Sequence, residues 1–341
     1  MWRLKARLRP AIAIHFAIHF ALFFTLSWVI LSLLLRFDPV TVTAAGFLLT
    51  VATLVIELLM GASQVINHLD PRWLDEAADP VLWALIQGEA GRAGIKISRV
   101  GVIDSETPNA VTVASLTGGP VLLFTKGLMH RLSYRETRTV VAYMIGASKS
   151  GFLGAATMFA GLLILSYRLT GRYIESRVGN GGEQLIDKVL AALGYIPFAL
   201  TVSQYVKATR PATTWGDRYA VDQTGDPSSY LMALLKVTDG TASRPGGANR
   251  TLFTPVKGLM FIDPTMALRD NPGLIDAAMS HGIRLEMIPG YGSENTDSSG
   301  IKYHIFEWFM SQPSPLERFR WAIGAGKKME SPLKLGLAWI E

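Results

Sequence analysis

The sequence predicts an α+β membrane protein, with four transmembrane helices and a mainly helical polar part that contains a small β-sheet. Of its 341 residues, 49% are hydrophobic and only 18% charged, and mean hydropathy is +0.27, a balance suited to a chain with part of its mass in lipid. Apolar runs recur at four places. Between them lie polar stretches where helical periodicity alternates with short runs of strand character.

The first apolar run spans Ala11 to Leu35 and follows Arg3, Lys5, Arg7 and Arg9, with no acid among them. About 20 residues cover a hydrocarbon core, and a signal peptide's apolar region is shorter, so the run is expected to stay as a membrane helix. A break at Arg36 to Pro39 leads to a second run, Val40 to Met60, whose one charge is Glu57. The two form a hairpin. Basic residues before the first span place the N-terminus in the cytoplasm, and the second crossing returns the chain there. A third run begins at Gly151, and a fourth, Leu190 to Val206, is divided by Gly194 and Pro197. These two either cross as a second hairpin or pack as buried helices, and length favours crossing. The expected organisation is a transmembrane hairpin over 1–60, a first polar part over 61–150, a second hairpin over 151–206 and a second polar part over 207–341. Localisation in the cell (inner) membrane follows, with the polar domain cytoplasmic.

Within the first polar part, ADPVLWALIQGEAGRAG reads as an amphipathic helix closed by Gly94. ISRVGVID alternates as a strand, AVTVA is a second, and PVLLFTKGLM holds a third that runs into a helix start. Ser133 and Glu136 make a capping box for a helix reaching about Lys149. In the second polar part, PLERFRWAIGAGKK reads as a short basic amphipathic helix.

Several chemistries are excluded by composition and motif. With no cysteine there are no disulfides, thiolate metal sites or thiol nucleophiles. No GxSxG elbow occurs, and Ser148 and Lys149 are neighbours rather than a spaced dyad. No phosphate-cradling loop follows Gly118 and Gly119. The net charge of +6 is juxtamembrane or dispersed, so Lys327 and Lys328 suit lipid headgroups better than nucleic acid. Among the six histidines only His15 and His19 stand four apart, a spacing that permits a metal or haem contact but equally an interfacial polar stripe. His130 reads as a surface residue, and His68, His281 and His304 have no carboxylate at an informative spacing.

Two N-terminal spans, a strand pair carrying Pro108, Asn109 and Ala110, the segment GPVLLFTKGLMHRLSYRETRTVVAYMIGASKSG, two further spans and RPATTWGDRYAVDQTGDP together resemble the HtpX-type integral-membrane zinc metallopeptidases. LMFIDP (Leu259 to Pro264) and FMSQPSPLERFR (Phe309 to Arg320) extend the likeness nearly to the C-terminus. The resemblance implies a gluzincin-type peptidase-like domain and a zinc held by HExxH, where two His share a helical face and the Glu activates water. In this chain the matching positions hold Tyr143 for the first His, Met144 for the general base and Ala147 for the second His. The family's third ligand, a Glu four residues before an Asp, corresponds to Thr213 ahead of Asp217, and a later family His corresponds to Gln312.

Four neutral residues at the ligand and base positions lead to the expectation of a degenerate member with no metal and no cofactor. The chain then reads as a catalytically inactive pseudopeptidase, an interaction subunit, scaffold or regulator of a membrane protein complex. The alternative is a membrane metallopeptidase whose metal sits at a non-standard or partner-supplied site. In related peptidases the substrate lies along an edge strand beside the zinc helix, so Val121, Leu122, Leu123, Phe124 and Thr125 are the candidate peptide or partner edge, or else an ordinary core strand. Expected partners are another integral membrane protein and the lipid bilayer, with no nucleic acid. Met144, Gly146 and Ala147 would let such a partner pack closely.

Overall fold

The computed structural model describes residues 38–114, 118–166, 185–243, 252–283 and 311–328, with isolated positions between 13 and 32. The first long element is helix α1, Pro39–Leu69. Asp38 starts it by accepting from the amides of Val40 and Thr41, and Asp70 ends it in the left-handed conformation at φ 44°. Its first two-thirds carry exposed apolar side chains, among them Val40, Phe47, Leu48, Ile56 and Leu59, whereas Val65 and Leu69 are buried. At about 1.5 Å per residue its 31 residues extend about 46 Å. The helix runs without interruption through Gly61, where the hairpin had been expected to end.

Strand β1 (Arg72–Leu74), helix α2 (Pro80–Ala93) and strands β2 (Arg99–Ile103), β3 (Ala110–Val113) and β4 (Val121–Thr125) follow. Asp79 caps α2, and Gly94 closes it at φ 64°, as its sequence signals required. The strands form one sheet in the order β1-β2-β4-β3, with β2 and β4 parallel and the outer pairs antiparallel. This order corrects the reading of Val121–Thr125 as an edge. Strand β4 is hydrogen-bonded on both sides and buried at all five residues, so its main chain has no free edge to offer a peptide. Its continuous apolar run, without polar alternation, is the signature of a strand covered on both faces. The edge beside it is β3, and that edge is covered too: Met260 bridges Val111, and the Phe261 amide donates to the Ala110 carbonyl at 2.7 Å. The Asn109 side chain extends the pairing, accepting from the Ile262 amide and donating to its carbonyl.

Helix α3 (Lys126–Arg131) leads into α4 (Tyr134–Lys149), which opens on the capping box of Ser133 and Glu136. Glu136 is buried and also meets Lys236 at 2.8 Å, tying the start of α4 to helix α7 (Pro227–Ala242). After a bend of 88° the chain enters α5 (Phe152–Ser166), buried from Phe152 to Gly161. Helix α6 (Leu185–Thr224) is continuous over 40 residues and passes through Gly194, Pro197 and Pro211. The expected division at Gly194 and Pro197 therefore does not occur. A proline costs an interior helix about 3 kcal/mol, a local penalty that packing along the rest of the helix outweighs. A 3-10 turn (Thr254–Leu259) and helices α8 (Pro264–Ser280) and α9 (Pro315–Lys328) complete the described elements.

Two apolar cores flank α4. One joins α2, α4, α7, α8 and α9 around Leu122, Phe124, Tyr143 and Met144; the other joins α1, α5, α6 and the 3-10 turn around Val65, Ala147, Phe159 and Tyr205. Where α1 crosses α5 the backbones touch, since a Cβ built on Gly161 would lie 2.8 Å from the Gly61 Cα. The protein is thus mostly helical with a small mixed sheet. Among the described residues no single helix is both long and apolar enough to cross a membrane, and α4 with α5 meets that measure only as a bent pair. The four expected spans therefore do not emerge as four such helices, and the first lies almost wholly outside the described residues.

Candidate functional site

The residues matching the family's ligand positions lie on α4 and α6, which pack side by side. Their register brings Tyr143 and Thr213 together: the Tyr143 hydroxyl donates to Thr213 Oγ1 at 3.5 Å, and both residues are buried. Gly216 permits this approach, because a Cβ there would lie 2.7 Å from the Tyr143 ring. Met144 is fully buried among apolar neighbours of the first core. Ala147, one turn beyond Tyr143 on the same side of the helix, packs into the second core. Burial pushes the Tyr143 phenol up to about 12, against the opposing pull of the Arg318 charge, so the hydroxyl is neutral at ordinary pH.

Beside Tyr143 sits a buried charge cluster. Arg318, from α9, donates through Nε to Asp217 Oδ2 at 3.0 Å and through Nη2 to Asp217 Oδ1 at 2.7 Å, the forked geometry that suits a carboxylate. Its Nη1 donates to the Phe261 carbonyl at 2.7 Å. The Tyr230 hydroxyl donates to Asp217 Oδ1 at 2.6 Å. The guanidinium lies over the Tyr143 and Phe261 rings, 5.3 and 5.0 Å from their centres, and those rings meet edge to face at 4.9 Å. Burial pushes the Asp217 carboxyl up, while the Arg318 charge, its hydrogen bonds and the Tyr230 hydroxyl pull it down. Arg318 itself is raised: burial lowers it, and Asp217 more than restores it.

Gln312 stands where the family's later His is expected. It accepts from the Asp263 amide at 3.0 Å and donates to the Met260 carbonyl, holding in place the segment that covers β3. Asp217 is marked in the sequence by its motif, whereas Arg318, Tyr230 and Phe261 carry no such local signal. Arg318 was visible as a charge in an otherwise amphipathic helix, yet nothing local distinguishes a buried arginine from the exposed Arg320 two residues on.

The described histidines are scattered. His68 Nε2 pairs with the Leu252 carbonyl at 2.9 Å, His130 is exposed, and His281 caps the end of α8 through the Ala277 carbonyl. His15, His19 and His304 lie outside the described residues. Ser148 donates to the Met144 carbonyl and Lys149 to the Ala93 carbonyl, so the two act separately. Among the described residues no three His, Asp or Glu side chains converge as a metal site. The zinc that the family resemblance implies does not fit the four matching positions. A neutral phenol, a thioether, a methyl group and a hydroxyl supply none of the imidazole, thiolate or carboxylate groups that zinc selects.

No protein-family model matches the chain, and no solved structure matches it. Curated relatives do. A protease HtpX homolog of Thermococcus kodakarensis is 28% identical over 210 residues, 57% of this chain and 71% of the relative. One from Thermococcus sibiricus is 24% identical over 58% of this chain and 73% of its own length. One from Listeria innocua is 25% identical over 258 residues, 70% of this chain and 83% of the relative. These relatives support the HtpX-type resemblance of the chain. They also correct the expectation of a non-enzyme, since the names that they share are those of proteases and point to a peptidase family.

Proposed function

We propose, from that HtpX-type resemblance, that this chain works in a membrane as an interaction component of a protein complex, engaging another integral membrane protein through α1. The observation that carries the reading is the apolar surface of that helix, where Val40, Phe47, Leu48, Ile56 and Leu59 are each more than half exposed. Apolar side chains at such density on one helix leave water only by meeting lipid or another apolar helix. Phe47 already receives one such neighbour, the Phe20 ring at 5.8 Å. A membrane setting with a cytoplasmic polar domain is consistent with the basic N-terminal segment. Native electrophoresis of the full chain in mild detergent tests the reading. Migration with a second membrane protein, lost when Leu48 and Ile56 are changed to Arg, is the expected result. Migration as a lone 37.2 kDa chain under every mild detergent tried refutes it.

A second reading is favoured by the protease names of the relatives: a membrane peptidase whose metal is bound outside the four matching positions, by His15 and His19 or by a partner's side chains. Casein cleavage by the purified chain, abolished by chelation and by His15→Ala with His19→Ala, would establish the use of those histidines. Cleavage that needs the copurified partner would favour the partner-supplied site.

A further inference from the structure

We infer that the junction of α4, α6 and α9, at the positions matching the family's zinc ligands, is a metal-independent ion-pair centre in which the Arg318 guanidinium supplies the positive charge. The inference concerns this locus alone and holds whether or not the chain acts in a complex. Its ground is that the polar groups gathered there already satisfy one another. The Tyr143 hydroxyl is used by Thr213, both Asp217 oxygens are taken by Arg318 and Tyr230, and all three Arg318 nitrogens have acceptors. Among the described residues, buried side-chain atoms without a hydrogen-bond partner occur on Glu89, Gln204, Trp215, Thr238, Asp239 and Asn271, and none belongs to this cluster. A site built for a cation leaves lone pairs aimed at a common point; here they are spent on hydrogens.

Charge and volume agree with the hydrogen bonding. Asp217 carries one negative charge in a dry environment, and one guanidinium neutralises it with two parallel bonds. A divalent cation beside Arg318 would leave positive charge uncompensated, since the Asp217 carboxylate is already paired with the guanidinium through both oxygens. The space is taken up by rings. Tyr143 and Phe261 pack edge to face, and Tyr230 and Phe261 do the same at 6.4 Å. The junction is thereby held together by an arginine on the last described helix, which ties α9 to α6 and to the segment at Phe261.

The test uses the full chain purified in detergent, exposed to excess zinc chloride and then desalted. Zinc far below one per chain is expected, with a thermal midpoint that neither zinc nor a chelator moves. The variant combining Tyr143→His, Met144→Glu, Ala147→His and Thr213→Glu should retain about one zinc per chain and gain a zinc-dependent midpoint. Stoichiometric zinc in the wild-type chain that Tyr143→Phe or Thr213→Val removes would overturn the inference, as would a folded fourfold variant that stays free of zinc. Stoichiometric zinc indifferent to both single substitutions supports it, because the ion then sits elsewhere. Should the fourfold variant not fold, the wild-type zinc content and the two single variants decide the question.

Discussion

Replacing Arg318 by Met is the most informative single perturbation of this fold. The substitution keeps an unbranched chain of similar reach and removes the three donor nitrogens. Asp217, 3% exposed, then keeps only the Tyr230 hydroxyl, and leaving a buried carboxylate without its counter-charge costs about 3 to 5 kcal/mol. The Phe261 carbonyl loses its donor as well, which adds about 1 to 3 kcal/mol. A total of about 4 to 8 kcal/mol rivals the whole stability of an ordinary domain. The companion change Asp217→Asn removes the other charge, so the double variant is expected to cost less than the sum of the singles by at least about 2 kcal/mol. Urea titration of the four proteins in one detergent, followed by tryptophan fluorescence, closes the cycle. Additivity within about 0.5 kcal/mol, or an Arg318→Met cost below about 1 kcal/mol, would show that the pair is not the joint described here.

Three further outcomes are expected. Asp239 is buried, and burial raises its carboxyl against the pull of the Asn271 amide and of Arg131 at 3.9 Å, while its Oδ2 has no hydrogen bond. A folded value above the unfolded one means that its contribution is complete below the ordinary carboxylate range of about 4 and is lost as pH rises through the folded value. Asp239→Asn should therefore remove that decline and raise the melting temperature at neutral pH, and a melting curve whose pH dependence matches the wild type would refute this. Gly161→Leu puts carbon where the Gly61 Cα lies, so α1 and α5 must separate; a loss of about 1 to 3 kcal/mol in denaturant titration is expected, and none would mean the crossing is loose. Ser133→Ala strips half of the capping box from α4 and should cost about 1 kcal/mol by the same titration.

Much of the fold was readable because its signals are local. Ser133 with Glu136, Asp79 with Pro80, and Gly94 each fix an element end through contacts only a few residues away. The centre of the sheet was not readable. Strands β2, β3 and β4 follow one another in sequence, yet β4 lies between the other two, and only long-range pairing decides which strand becomes an edge. Helices α7 and α8 went unassigned for a related reason: their interior Gly240 and Pro272 disfavour helix locally, and packing overrides the preference. At the candidate site, Tyr143 could be placed on the helix that follows the strand Val121–Thr125, and Thr213 by counting four residues back from Asp217. Arg318, the partner of Asp217, lies about a hundred residues downstream of it, and no spacing rule reaches that far.

The bare contact between Gly61 and Gly161 bears on how motion travels through the molecule. Most helix pairs tolerate small tilts because side chains between them change rotamer and take up the slack. Here the main chains themselves abut, so there is nothing to deform, and leaning α1 pushes α5 directly. Since α5 joins α4 through a bend of 88°, that push would arrive as a sideways pull on the segment carrying Tyr143. Lipid thickness, acting on the apolar length of α1, would in this way be felt at a charge cluster buried inside the protein, a hypothesis that spin labels placed on α1 and α4 would test: distances between them unchanged from thin to thick bilayers would refute it.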